Sequence, residues 1–122
     1  MVGNHEIPVH SLDEIRYLLS EDAWYLATRK CRDNVVSLGL LGTDVKDMLL
    51  ALTQADFRSE FGKCDSDFGE VEADDYLLWF DEDRKIRCRP YAGQGFYIKL
   101  AIHTTAEGAC CLIISLHAEG RP

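Results

Sequence analysis

The spacing of apolar side chains changes in the middle of the chain. Between residues 11 and 62 they recur every three or four positions, which is the spacing of one helix face. From Tyr76 onwards they form short runs or alternate with polar residues, as in strands. We therefore predict an α+β fold in which N-terminal helices pack on one face of a C-terminal antiparallel sheet.

Three helices are predicted in the first half of the chain. Ser11 can cap "SLDEIRYLL", and Glu14 three residues later is typical of a capping box. A second helix covers "TRKCRDNVVSL" and ends at Gly39. Thr43 is the expected cap of a third helix, "DVKDMLLAL". We expect this helix to continue for one or two turns through "TQADFRSEFG", ending at Gly62.

The second half is divided by composition. The stretch "GKCDSDFGEVEADD" is acidic and punctuated by glycine, which favours a loop. Strands are then predicted at "YLLWF", "KIRCRP", "GFYIKLAIH" and "ACCLIISLH". We predict a single domain over residues 1–122, made of an N-terminal extension (1–10), a helical half (11–62), an acidic loop (63–75) and an antiparallel sheet (76–117).

The last two strands read as a hairpin with one apolar face. Alternation puts four apolar side chains of each strand on one side of the sheet. We expect both sets to face the helices: Phe96, Ile98, Leu100 and Ile102 from the first strand, and Cys110, Leu112, Ile114 and Leu116 from the second.

The other face of this hairpin carries polar side chains with acid–base chemistry. A five-residue loop, "TTAEG", would place Tyr97 opposite Ser115 and Lys99 opposite Ile113. His117 would then lie diagonal to Tyr97, within reach of a long side chain. The sequence therefore predicts a phenol, an ammonium, a hydroxyl and an imidazole on one sheet face.

Such a cluster has the groups needed to cleave RNA through the attack of its own 2′-hydroxyl. Lys99 would stabilise the charge on phosphorus, His117 would transfer the proton, and Tyr97 would act as an acid or bind the phosphate. Ser115, Arg87 and Arg89 are candidate substrate-binding residues. The alternative is a solvated sheet face without chemistry. This reaction requires no metal or other cofactor, and we expect none.

Charge is distributed unevenly along the chain. Residues 1–55, 56–83 and 84–122 carry net charges of −3, −9 and +4, which account for the total of −8. The basic C-terminal part would attract a nucleic-acid backbone, whereas the chain as a whole would repel one. No segment reaches the ~20 apolar residues of a membrane helix. The N-terminus, "MVGNHEIPVH", is unlike a secretory signal, so a bacterial cytoplasmic location is expected.

The five cysteines have no C-x-x-C spacing, and we interpret them as reduced, mostly buried thiols. Cys110 and Cys111 are adjacent in a strand and must face opposite ways. A metal site using Cys111 with His103 is an alternative to simple packing. A cysteine hydrolase lacks support, because none of these thiols is expected in a glycine-rich elbow or after a helix cap that would favour its thiolate.

In this order, the segments "SLDEIRYLL", "SLGLLGTDVKDMLLALTQADF", "FYIKLAI" and "LIISLH" resemble the MqsR toxin family. Its members are small bacterial ribonucleases with a RelE-like fold, held inactive by a cognate antitoxin. The resemblance covers about residues 10 to 117. It implies cleavage of messenger RNA without a metal cofactor and an antitoxin-like protein partner; direct contact with DNA or with membranes is not expected.

The resemblance transfers roles to only part of the site. The family's strand tyrosine and lysine match Tyr97 and Lys99, and His117 stands where the family has a lysine. The family's helical lysine falls at Ser59, where the neighbouring Arg58 is the available substitute. The family's middle motif, "WQDVYRP", aligns with either "EADDY" or "IRCRP", and neither keeps its glutamine. No role is transferred there.

A different class of function fits the acidic segment. Acidic, aromatic-flanked sequences such as "DDYLLWFDED" suit protein partners better than RNA. The alternative to a ribonuclease is therefore a non-catalytic α+β module that binds a basic protein through residues 65–83.

Overall fold

The computed structural model describes residues 3–4 and 8–120, and at residues 3, 4 and 59–61 its backbone alone. The predicted N-terminal extension therefore lies partly outside the described residues, and the side chain of Ser59 lies wholly outside them. In the described part, the α-helices are α1 (Leu12–Ser20), α2 (Arg29–Ser37) and α3 (Gly42–Ala51), followed by a short 3-10 turn (Gln54–Asp56). The strands are β1 (Gly3–Asn4), β2 (Trp24–Leu26), β3 (Phe57–Ser66), β4 (Gly69–Asp81), β5 (Ile86–Arg87), β6 (Gln94–Thr105) and β7 (Gly108–Ala118).

The sheet confirms the predicted α+β class, with helices mostly in the N-terminal half. Its strand order is β1-β3-β4-β6-β7-β2, and β5 pairs with β4 at one end. The sheet is mixed, because β2 runs parallel to β7 while the other pairs are antiparallel. Strand β2, which has three residues and lies between two helices, was not predicted.

Local signals explain where the helices begin. The hydroxyl of Ser11 accepts a hydrogen bond from the backbone N–H of Glu14 at 3.3 Å, so the predicted cap of α1 is confirmed. Helix α3 begins earlier than predicted. The carboxylate of Asp44 accepts from the backbone N–H of Leu41, which makes Leu41 the N-cap instead of Thr43.

The predictions of a helix up to Gly62 and of an acidic loop over residues 63–75 were wrong. Phe57–Ser66 and Gly69–Asp81 are long paired strands joined by a tight turn. Ser66 stabilises that turn by donating to the carbonyl of Gly69, whose φ of +96° suits glycine. Glu70 and Glu72 alternate with inward-facing Val71 and Ala73, so this part of the acidic composition belongs to one solvent-exposed strand face.

The main core lies between the helices and the first face of the sheet. Here the apolar stripe predicted for β6 is confirmed, since Phe96, Ile98 and Leu100 are fully buried. Its partners include Ile15, Leu19, Val45, Met48, Leu49, Tyr76, Leu78, Cys111, Ile113 and Leu116.

A bulge in β7 changes which of its side chains face the helices. Lys99 pairs with Ser115, but the next residue, Leu100, pairs with Ile113, so Ile114 is an extra residue. Its carbonyl accepts a hydrogen bond from the hydroxyl of Thr28, the N-cap of α2, at 2.9 Å. Beyond the bulge the alternation is inverted.

The predicted apolar face of β7 was therefore only partly right. Leu116 faces the helices as expected, whereas Leu112 and Ile114 face the other way. They form a second, smaller core on the opposite face of the sheet, with Ala27, Ala73 and Ala101. Cys110 packs against this second core, and Cys111 lies in the main one, as expected for neighbours in a strand.

The sheet curls towards this second face. The turn between β3 and β4 reaches the segment after β2, at the opposite edge of the sheet, where the N–H of Asp67 donates to the carbonyl of Ala27 at 2.8 Å. An ion pair between Asp67 and Arg32 at 2.6 Å joins the same regions. The part of the second face beside this contact is covered, and the rest is open.

Two neighbouring aspartates of β4 occupy opposite faces. Asp74 is fully buried on the helix side, and its two carboxylate oxygens accept from the backbone N–H groups of Val9 at 2.9 Å and His10 at 2.8 Å. Asp75, also buried, faces the open part of the second face. No helix in the described residues is long and apolar enough to cross a membrane.

Candidate functional site

A pocket with a volume of about 190 Å³ opens on the second face of the sheet. Neighbouring strands supply its walls, because residues two apart in a strand share a face. The lining side chains are Arg58 from β3, Asp75 from β4, Tyr97 and Lys99 from β6, and Ser115 and His117 from β7. Four of these residues were selected from the sequence, namely Tyr97, Lys99, Ser115 and His117.

The pairing of β6 with β7 differs from the predicted register by two positions at this end. Tyr97 lies opposite His117 and Lys99 opposite Ser115. The predicted pairs of Tyr97 with Ser115 and of Lys99 with Ile113 were wrong for two reasons. The connection is a tight turn, with Thr105 pairing with Gly108, and the bulge at Ile114 adds one residue to β7.

The observed register brings the proton-handling groups closer together than predicted. The rings of Tyr97 and His117 are stacked, with centroids 5.2 Å apart and planes 28° from parallel. Nδ1 of His117 lies 3.4 Å from Oγ of Ser115. This contact orients the imidazole, leaving Nε2 as its other ring nitrogen for chemistry.

Arg58 completes the site from the neighbouring strand. Its guanidinium forms an ion pair with the carboxylate of Asp75 at 2.6 Å and lies 4.7 Å above the ring of Tyr97. From the sequence, Arg58 was expected only as a substitute for a lysine, and in a helix. Asp75, which lies opposite Lys99, was missed because it fell in the predicted loop. The available signal was that Asp75 directly precedes the predicted strand "YLLWF" and, two residues before Leu77, lies on the same face as that residue.

The electrostatic surroundings favour neutral His117. Burial lowers its pKa from the usual 6.5, and the positive charges of Lys30, Lys99 and Arg58 act in the same direction. The negative charge of Asp75 opposes them and raises the pKa. Since the net direction is downward, His117 is a proton acceptor at neutral pH.

The two arginines selected from the sequence lie outside this pocket. Arg87 forms an ion pair with Asp56 and lines a second pocket beside the first. Arg89 is exposed in the turn that follows β5. Neither side chain contributes to the walls around Tyr97, Lys99 and His117.

The alternative metal site of Cys111 and His103 does not form, because the two residues face opposite sides of the sheet. His103 pairs with Cys110 and its ring contacts Phe68, whereas Cys111 belongs to the main core. Burial raises the pKa of the Cys111 thiol to about 12. A thiol of this kind is a poor nucleophile.

Comparisons with protein-family models, curated proteins and solved structures found no match to this chain. The resemblance to the MqsR family therefore stays a prediction.

Proposed function

We propose that the protein is a metal-independent endoribonuclease whose active site is the pocket of Tyr97, Lys99 and His117. One observation carries this proposal: a neutral imidazole, a phenol and two cationic side chains line the same small pocket. Transfer of an RNA phosphodiester to its own 2′-oxygen needs a proton acceptor, a proton donor and a stabilised phosphorane, and these groups match those needs.

His117 is the proposed general base. It takes the proton of the 2′-hydroxyl, the 2′-oxygen attacks phosphorus, and the bond from phosphorus to the 5′-oxygen breaks. The departing 5′-oxygen takes a proton from the phenol of Tyr97. The products are then a 2′,3′-cyclic phosphate and a new 5′-hydroxyl end. The low pKa of His117 keeps its acceptor nitrogen available at neutral pH.

Lys99 and Arg58 are the proposed anion-binding groups. Lys99 lines the pocket between Asp75 and Ser115, its neighbours across the two strand pairs. The guanidinium of Arg58 is already held in place by Asp75 and by the ring of Tyr97. A preorganised cation stabilises the phosphorane without a reorganisation cost. The hydroxyl of Ser115 orients His117.

The direct test is cleavage of single-stranded RNA by the purified protein in the presence of a metal chelator. Wild-type protein should release fragments with cyclic phosphate ends. An oligonucleotide of the same base sequence built on 2′-deoxyribose, which lacks the attacking hydroxyl, should stay intact. Tyr97→Phe, Lys99→Ala and His117→Ala should each reduce the rate by about 10²- to 10⁴-fold.

Matched controls lie elsewhere on the surface. Tyr17→Phe removes an exposed phenol from α1, and Lys63→Ala removes an exposed ammonium from β3. Both variants should cleave at the wild-type rate. Full activity of Tyr97→Phe and Lys99→Ala would remove these residues from the mechanism.

In the cell, we propose that the protein is a bacterial, cytoplasmic toxin restrained by an antitoxin-like partner. Expression alone should arrest growth, and His117→Ala should relieve the arrest.

A second candidate, a non-catalytic module that binds a basic protein, is favoured by the acidic hairpin of β3 and β4. Asp65, Glu70 and Glu72 are exposed there, and Lys63 partly neutralises Glu70 at 3.9 Å. Expression of such a module should be harmless, and the purified protein should leave RNA intact.

A further inference from the structure

A second pocket adjoins the proposed active site and has a volume of about 400 Å³. The two pockets share Arg58 as a wall. The remaining walls of the second pocket are mainly apolar and aromatic, among them Phe57, Leu77 and Trp79, together with one ion pair, Arg87 with Asp56.

The sheet register places this pocket directly beside the reacting groups. Leu77 lies opposite Tyr97, and Trp79 lies opposite Gly95, the next residue pair on the same face. An RNA strand whose phosphate is held by Lys99 and Arg58 therefore has an adjoining nucleotide at the mouth of the second pocket.

The indole of Trp79 is held in place by its neighbours. A Cβ atom at Gly95 would lie 3.0 Å from two carbons of the indole, so glycine makes room for the ring. Tyr91 packs against the indole with its ring centroid 4.5 Å away. An aromatic ring fixed in this way provides a stacking surface at little entropic cost.

The polar side of the pocket offers hydrogen-bond donors. One nitrogen of the Arg87 guanidinium is bonded to Asp56, and that side chain is 40% exposed. A guanidinium carries five N–H donors, so this bond does not use them all. Unpaired bases are recognised by stacking on aromatic rings together with hydrogen bonds from such groups. Neither a phosphate nor an aliphatic chain would use both kinds of wall.

We propose that this second pocket binds one unpaired nucleobase of single-stranded RNA, next to the phosphate that is cleaved. The base stacks on Trp79 and accepts hydrogen bonds from Arg87. This inference rests on the proposed ribonuclease function, because that function supplies the strand. It restricts the substrate to RNA whose bases are unpaired at the cleavage site, since a base in a duplex cannot enter the pocket.

The test measures binding apart from cleavage. The probes are short single-stranded oligonucleotides with 2′-O-methyl ribose, which lack the attacking hydroxyl, and an abasic oligonucleotide of the same length and charge. In a Trp24→Phe background, Trp79 is the remaining tryptophan and its fluorescence reports on the pocket. Oligonucleotides with bases should quench it in a saturable manner, and the abasic one should leave it unchanged.

A second measurement uses the anisotropy of a labelled oligonucleotide. Trp79→Ala should weaken its binding by about 5- to 150-fold, the range for loss of one stacked base, while Trp79→Phe should retain most of the affinity. Equal binding of the abasic and base-containing oligonucleotides to wild-type protein would overturn the proposal. This comparison uses no variant, so it does not depend on whether Trp79→Ala folds.

The two proposals fail in different ways. Base-dependent quenching without RNA cleavage would support the base pocket and refute the nuclease. Cleavage with the same KM and rate in wild type and Trp79→Ala would support the nuclease and refute the base pocket.

Discussion

Replacing Asp74 and Asp75 one at a time by asparagine separates stability from chemistry. The two residues are adjacent in β4, and the same substitution acts on opposite faces of one strand. Asp74 binds the backbone of Val9 and His10, whereas Asp75 pairs with Arg58 in the pocket. We expect Asp74→Asn to destabilise the fold and Asp75→Asn to alter the site.

The magnitude follows from the hydrogen bonds of Asp74. Its carboxylate accepts one N–H on each oxygen, and a hydrogen bond to a charged group contributes about 1.5–3 kcal/mol. The asparagine amide keeps one acceptor oxygen, and its NH₂ group faces the other N–H. Asp74→Asn should therefore cost about 2 kcal/mol, which lowers Tm by roughly 6–12 °C in a chain of this size.

Asp75→Asn should cost less stability, because the partner side chain, Arg58, is 37% exposed and water screens the pair. We expect a loss of about 1 kcal/mol or less. The negative charge that raises the pKa of His117 would be removed, so this pKa should fall further. Cleavage should change in Asp75→Asn and stay at the wild-type rate in Asp74→Asn below its Tm.

The assays are urea unfolding, amide hydrogen exchange at Val9 and His10, and RNA cleavage. In Asp74→Asn the two amides should lose protection together with the global destabilisation. Wild-type stability of Asp74→Asn with both amides still protected would contradict this prediction, since the bonds to the carboxylate would then contribute nothing.

Further predictions concern the pocket and the core. Lys99→Met should lower kcat/KM for RNA by about 10²- to 10³-fold, measured with a fluorogenic oligonucleotide. The cleavage rate should fall as pH drops through the pKa of His117, which lies below 6.5, and a pH series of rates checks this. The free energy of unfolding should also fall as the pH drops from 6.5 to the lower pKa of folded His117, because the unfolded chain protonates this imidazole at a higher pH than the folded protein does. Gly95→Ala should destabilise the fold by about 1 kcal/mol in thermal unfolding, because its methyl would lie 3.0 Å from a neighbouring indole. Cys31 and Cys111, with pKa values raised by burial to about 11 and about 12, should react with a thiol reagent at pH 8 only after unfolding.

Helix α1 and strand β6 could be predicted because their signals are local. The cap at Ser11 and the strict alternation around Tyr97 and Lys99 each depend on residues close in sequence. These features alone placed two of the pocket residues on one face of a strand. They determined which side chains could meet, although not their distances.

Strand β3 and the first half of β4 were missed because their stability depends on contacts distant in sequence, whereas the second half of β4 was predicted as "YLLWF". Glu70 and Glu72 are unusual in strands, and their neighbours Val71 and Ala73 become apolar partners only after the sheet curls. Asp75 and Arg58 were lost as site residues for the same reason. In a sequence, an aspartate favours a loop over a strand. Its burial in β4 could not be predicted without knowing that Arg58 would pair with it.

The register of β7 failed for a different physical reason. A bulge leaves little trace in the sequence, since Ile114 is as apolar as its neighbours. What stabilises it here is the hydroxyl of Thr28, which is distant in the chain. Ser115 and His117 were nevertheless predicted on the correct face, because they lie C-terminal to the bulge, where the predicted alternation holds.

The single extra residue at Ile114 has an evolutionary consequence. Deleting its codon would place Ser115 directly after Ile113, which restores regular alternation and keeps Leu116 in the main core and His117 in the pocket. The hydrogen bond from the hydroxyl of Thr28 to the carbonyl of Ile114 would be lost with it. Relatives that differ by a one-residue gap at this position would therefore present the same side chains on the same faces of the sheet.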